Sequence, residues 1–156
     1  MIEWDVIRSD LLVGTHPQEA SDVDTIAEET EATAILNVQH QEGIDALDVP
    51  IKQIIRRAHT DGLKYVRCPM RDFDHEDQRR ALPDAIRALS GLLEDGHTVY
   101  VHCTAGVNRS PLVVLGYLVF VDGMDRQEAL DQIRSARPQA QPYMDVFEQV
   151  RQDIVE

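Results

Sequence analysis

The chain reads as an α/β domain: a central, mainly parallel sheet flanked by helices on both faces. Short β-prone runs alternate with stretches of helical spacing, which is the pattern of strands linked by crossover helices. One such run, 98–103, passes through a short polar loop straight into a ten-residue apolar stretch, the strand-to-helix junction at which ligands bind in open parallel sheets. No repeat, low-complexity tract or Pro/Gly/Ser linker divides the 156 residues, so 1–156 is taken as a single domain with one substantial core.

In order, residues 4–14 (WDVIRSDLLVG) suggest two short strands joined by a polar turn at Arg8 to Asp10, before a break at His16 and Pro17. A helix follows to about Thr30, with Ser21 and Asp22 as candidate caps. ATAILNV (32–38) is a buried strand, and QHQEGIDALDVP (39–50) a long loop. KYVRCPM, Lys64 to Met70, is another strand, emptying into the polar segment RDFDHEDQ. From Leu82 the residues Ala85, Ile86, Leu89, Leu92 and Leu93 keep helical spacing until Asp95-Gly96 stops the helix. TVYVHC (98–103) is a strand, and LVVLGYLVFV (112–121), apolar all round, a buried central helix. Asp125 and Glu128 form a capping box for a helix that Arg137-Pro138 ends. The last helix carries Met144, Phe147, Val150 and Ile154 on one stripe.

The chemistry concentrates in HCTAGVNRS (102–110). Cys103, with Arg109 six positions on, lies between a strand and a buried helix. Backbone amides of Thr104, Ala105, Gly106, Val107, Asn108 and Arg109, wrapped ahead of a helix N-terminus, would form an anion cup backed by the helix dipole. Gly106 lets the chain bend there. The same field favours an ionised Cys103 sulfur, a nucleophile. Arg109 offers two parallel donors to phosphoryl oxygens, and Ser110 can donate to the sulfur when it leaves. The plain alternative is a core thiol with a surface cation. Breaking a phosphate ester also needs a proton donor opposite the nucleophile; Asp72 is favoured over Asp74, which reads better as a solvated carboxylate, as does His75 as an exposed ring.

Composition narrows the partners. There are 15 basic and 28 acidic side chains, a net charge of −13, so neither nucleic acid nor a membrane surface is expected as a partner. Two cysteines and no evident secretory leader suggest reduced thiols and a cytoplasmic protein, and Cys68, inside a strand, an inert one. A monomer is expected. No metal and no cofactor is called for, because side chains supply nucleophile, clamp and acid.

HCTAGVNRS resembles the signature of dual-specificity phosphatases in the protein-tyrosine-phosphatase superfamily. Together with WDVIRSDLLVG, CPMRDFD, RRALPDAI and the central loop, it makes nearly the whole chain similar to plant-type phosphoglucan phosphatases. The resemblance implies the cysteine-based phosphatase fold, Asp72 as general acid, and glucan contact by Phe73 and Trp4. From the residues alone, either aromatic also reads as a packing side chain. Three departures stand out. Asn108 replaces the glycine common in phosphoglucan phosphatases, Ala46 and Leu47 fall where the plant enzymes carry an aromatic pair, and Asn37 falls where one member has a redox cysteine. No carbohydrate-binding module is expected. The substrate is therefore expected to be phosphorylated glucan or, on the rival reading, a phosphoprotein; a non-catalytic phosphate-binding module is the third alternative. His102 is expected to orient the loop rather than act as a base, and Arg67 and Arg71 to be surface cations.

Overall fold

A run of residues with no exposure at all, Ala34 to Leu36 with Asn37 and Val38, requires cover on both sides, and the structure supplies it. The computed structural model describes residues 2–155. Its elements are β1 (Trp4–Arg8), β2 (Leu11–Gly14), α1 (Ala20–Glu29), β3 (Ala34–Gln39), α2 (Gln41–Ala46), α3 (Ile51–Thr60), β4 (Lys64–Met70), α4 (His75–Glu94), β5 (Val99–His102), α5 (Arg109–Gly116), a π-helical turn (Tyr117–Val121), α6 (Arg126–Ala136) and α7 (Met144–Val155). The five strands form one sheet in the order β1-β2-β5-β3-β4. Only the β1–β2 pair is antiparallel.

Strand alternation sorts the core into two layers. Leu11, Val13, Leu36, Val38, Val99, Val101 and Cys103 face one side, under α4 to α7. Leu12, Ile35 and Tyr100 face the other, with Val23 and Ile26 of α1 and Ile54 and Ala58 of α3. The mainly parallel sheet with helices on both faces is as the sequence predicts.

Several boundaries differ, each for a local reason. The first helix starts at Ala20, capped by Glu19 rather than Ser21; the Asp22 carboxylate accepts from the Gln18 and Glu19 amides at 2.8 and 3.3 Å, as the far half of the capping box. The expected loop 39–50 contains α2, whose cap is the His40 ring accepting from the Glu42 amide at 3.1 Å. α3 had no counterpart in the reading, although Ile51, Ile54, Ile55 and Ala58 carry helical spacing. α4 begins at His75, not Leu82, because the Asp74 carboxylate caps it through the Asp77 amide at 2.9 Å. It runs through Pro83, whose missing N–H forgoes one bond in a helix held by Leu82, Ala85, Leu89 and Leu92 against the core. The apolar stretch 112–121 is α5 continued by the π turn.

Among the described residues no helix is long and apolar enough to cross a membrane.

Gly14 ends β2 where three elements meet: a Cβ there would lie 2.2 Å from the Tyr100 hydroxyl oxygen and 2.7 Å from the Glu3 carbonyl. Tyr100 is fully buried and bonds the Thr15 carbonyl at 2.8 Å, so it has nowhere to retreat. Gly14→Ala is therefore expected to cost about 1–3 kcal/mol of stability through overpacking, read as a lower midpoint in urea denaturation; an unchanged midpoint would contradict this packing.

Candidate active site

The parallel strands β5 and β4 deliver the chain to one end of the sheet, and the two loops leaving them meet there. The loop after β5 runs from Cys103 to Asn108 and enters α5 at Arg109. The four carbonyls from Thr104 to Val107 all point outward to fixed partners. The Thr104 carbonyl accepts from the His16 amide (3.0 Å) and the His16 Nδ1 (3.1 Å). Ala105 accepts from Arg137 Nη2 (3.0 Å), Gly106 from Arg137 Nε (2.7 Å), and Val107 from the Gln141 amide (2.6 Å). The Asn108 side-chain carbonyl accepts from the Tyr143 amide at 3.0 Å. In a trans peptide the N–H points opposite to the preceding C=O, and no peptide here is cis among the described residues. The amides of Gly106, Val107 and Asn108 therefore turn to the inside of the loop. Gly106 takes φ = +67°, and a Cβ there would meet the Gly14 carbonyl at 2.7 Å and Arg137 Nη2 at 2.8 Å. Only glycine fits.

Cys103 is buried at the base of this loop, its Sγ 3.3 Å from the Ser110 hydroxyl. Arg109, also buried, is fixed through Nη1 to the Met70 carbonyl (2.9 Å) and through Nη2 to the Thr104 hydroxyl (3.1 Å), which in turn accepts from Gln39 Nε2 (3.0 Å). The same Nη2 lies 3.3 Å from the Asp72 carboxylate. Asp72 follows β4 in a turn held by α4: the Asp77 carboxylate accepts the Arg71 amide (2.8 Å), and Gln78 Nε2 donates to the Arg71 carbonyl (3.0 Å). Asp72, Phe73, Cys103, Ala105, Val107, Asn108, Arg109, Gln141 and Tyr143 line one pocket of about 350 Å³. The arrangement can hold a tetrahedral anion against a sulfur nucleophile, with a carboxyl at the mouth.

Phe73 is 79% exposed at φ = +61°, so it does not pack in the core. The left-handed backbone costs a non-glycine residue about 1 kcal/mol or more. Trp4 is placed differently. It pairs with Gly14 at the same end of the sheet, but its side chain packs against the layer containing Leu12 and Tyr100 and does not line the pocket. Asp74 is the α4 cap. His75 is no idle ring either: it stacks on Tyr143 at 4.0 Å and bonds Asp145 through Nδ1 at 2.6 Å. Arg67 bonds Gln41, and Arg71 pairs with Glu42 and Asp77. Burial pushes the Cys68 thiol up, keeping it protonated.

Sequence reasoning missed the outer ring of this site, namely His16, Gln39, Arg137, Gln141 and Tyr143. Arg137-Pro138 was visible only as a helix stop; nothing local signals that a guanidinium at that stop reaches the loop 103–109.

His102 orients the loop through its Nδ1–H, which donates to the Cys103 carbonyl at 2.8 Å. Burial, outweighing that bond, pushes its pKa down from 6.5 to about 3, so the ring is neutral. Its Nε2 has no partner among the described residues.

The model of the dual specificity phosphatase catalytic domain matches residues 16–153. The amyloplastic phosphoglucan phosphatase DSP4 of Castanea sativa is 34% identical over 156 residues, 99% of this chain and 41% of that protein. Laforin of Mus musculus is 31% identical over 158 residues, 95% of this chain and 48% of its own length. The chain thus spans less than half of either curated relative. The human tyrosine phosphatase-like serine/threonine/tyrosine-interacting protein shares the fold, with a TM-score of 0.75 at 19% identity over 97% of this chain and 95% of that one.

The buried neutral His102 makes stability depend on pH. The unfolded ring takes a proton near 6.5 and the folded one only near 3, so stability is lost as pH falls from 6.5 towards 3. His102→Asn should flatten that part of the curve relative to the unaltered protein in urea titrations from pH 7 to 4, the carboxylates contributing equally to both. Parallel curves would mean that His102 is not held neutral.

Proposed function

Because the chain belongs to the dual specificity phosphatase catalytic-domain family, we propose that it hydrolyses phosphomonoesters through a phosphocysteine at Cys103 and removes phosphate from phosphorylated glucan. The carrying observation is convergence: Cys103, Arg109 and Asp72 reach one pocket from two different strand ends.

The substrate phosphoryl group enters the loop, where inward amides and Arg109 bind three of its oxygens. In doing so it takes the guanidinium that otherwise faces Asp72. The Cys103 thiolate attacks phosphorus in line; the P–O bond to the leaving group breaks, and Asp72 donates its proton to that oxygen. Ionised Asp72 then accepts a proton from water as the water attacks the phosphocysteine. The sulfur leaves as thiolate with the Ser110 hydroxyl donating to it, and inorganic phosphate is released. Arg109 and the amides carry the charge throughout.

Glucan as the substrate is supported by the relation along 99% of the chain to a phosphoglucan phosphatase and by Phe73. An apolar ring held out at the pocket rim at a cost to the fold gives a sugar face something to stack on. The phosphoprotein reading rests on Asn108, in place of the glycine common in phosphoglucan phosphatases, and on Ala46 and Leu47, which supply no aromatic on the adjoining α2 side of the cleft. The non-catalytic reading has less support, since nucleophile and acid line the same pocket.

Phosphate release from phosphorylated amylopectin or glycogen should exceed release from phosphotyrosine and phosphothreonine peptides; the reverse order would select the phosphoprotein reading. Cys103→Ser should abolish turnover while phosphate binding persists. Asp72→Ala should slow alkyl esters by about 10²–10⁴-fold and aryl phosphates less. Asp74→Ala should act on stability, by about 0.5–2 kcal/mol. Equal losses on both ester types would remove Asp72 as the acid.

A further inference from the structure

Arg137 is fully buried, yet no step of the reaction uses it. It is the C-cap of α6, where the helix carbonyl end favours a cation. From there its guanidinium crosses beneath the loop 103–109. Nε and Nη2 hold the consecutive carbonyls of Gly106 and Ala105 at 2.7 and 3.0 Å. On its other edge it meets two carboxylates near the start of β1, Asp5 within the strand through Nη1 at 2.8 Å and Glu3 just before it through Nη2 at 3.2 Å. Both of those carboxylates reach solvent.

Building on the phosphatase reading of this site, we infer that Arg137 is a positioning residue for phosphate recognition, and that Glu3 and Asp5 set how much of its charge the bound anion feels. The first half follows from peptide geometry. Two neighbouring carbonyls fixed on one side oblige the amides of Gly106 and Val107 to face the other, into the cup. A planar fork can grip two carbonyls in one plane; an ammonium cannot. The second half follows from charge placement. A guanidinium buried directly behind the cup attracts an anion in front of it across little intervening solvent. Glu3 and Asp5 offset that attraction by pairing with the same group from the far side. The first residues of the domain thereby act on a site whose chemistry lies a hundred positions later in the chain.

The test measures the dissociation constant of inorganic phosphate by calorimetry, together with kcat and KM on a small aryl phosphate. Glu3→Gln and Asp5→Asn alter partly exposed side chains and leave Arg137 in place. Each should bind phosphate about 2–5-fold more tightly and lower KM with kcat little changed, the Coulomb effect of removing one partly solvated negative charge near the anion. Arg137→Met should weaken phosphate binding at least 10-fold, and Arg137→Lys should fail to restore it. A purely structural Arg137 would give Glu3→Gln and Asp5→Asn variants with lower melting temperatures and unaltered phosphate affinity; that result overturns the inference while leaving the phosphatase reading intact. If the unaltered protein neither binds phosphate nor cleaves the aryl ester, both fall together.

Discussion

Four consecutive peptide units, from Thr104 to Asn108, have their carbonyls committed to partners outside the loop, and the rest of the site depends on that commitment. A carbonyl left without a donor is costly, and the donors come from three places: His16 in the segment after β2, the side chain of Arg137 at the end of α6, and the Gln141 amide in the link to α7. Once the oxygens are placed, the amide hydrogens have no freedom left. The anion cup is thus the reverse side of an ordinary accounting of hydrogen bonds.

Arg109 connects this cup to the end of β4. It is tied to the Met70 carbonyl at the last residue of β4 and to the Thr104 hydroxyl within the loop, so its position is shared between the ends of two strands that are separated in the sheet by β3. The α4 N-terminus does the same for the acid. Asp77 and Gln78 grip both sides of Arg71, and the turn that follows swings Asp72 towards Arg109 and throws Phe73 outward. Cys103, Arg109 and Asp72 are registered to the sheet through bonds to backbone groups, which makes their spacing a property of strand packing rather than of loop flexibility.

The pocket combines few aromatic groups with a strongly acidic chain. Its cations are already engaged: Arg109 within the cup, Arg71 with Glu42 and Asp77. The rings of Phe73 and Tyr143 line the same pocket as Cys103 and Arg109.

Much of this was legible along the chain. The buried strands, the crossover pattern and the loop between Cys103 and Arg109 are local: each is written in consecutive residues whose periodicity or backbone needs can be read one window at a time. Asp72 was expected from its place after a buried strand, whereas Asp74, expected to be a solvated carboxylate, is the cap of α4. What eluded the reading is of another kind. α3 went unassigned although its spacing was present, and the start of α4 was masked because polar first turns resemble a loop until their cap is known. Strand alternation packs the Trp4 ring against the layer containing Leu12 and Tyr100. Arg137, His16, Gln141 and Tyr143 lie 34, 87, 38 and 40 positions from Cys103 and are brought to it only by packing. Sequence by itself determined where the buried strands and the loop from Cys103 to Arg109 lie, since periodicity and backbone needs are written in consecutive residues. Tertiary structure alone decided which distant donors turn that loop's amides inward, because long-range hydrogen bonds are chosen by the sheet and helix layers and leave no periodic trace in the chain.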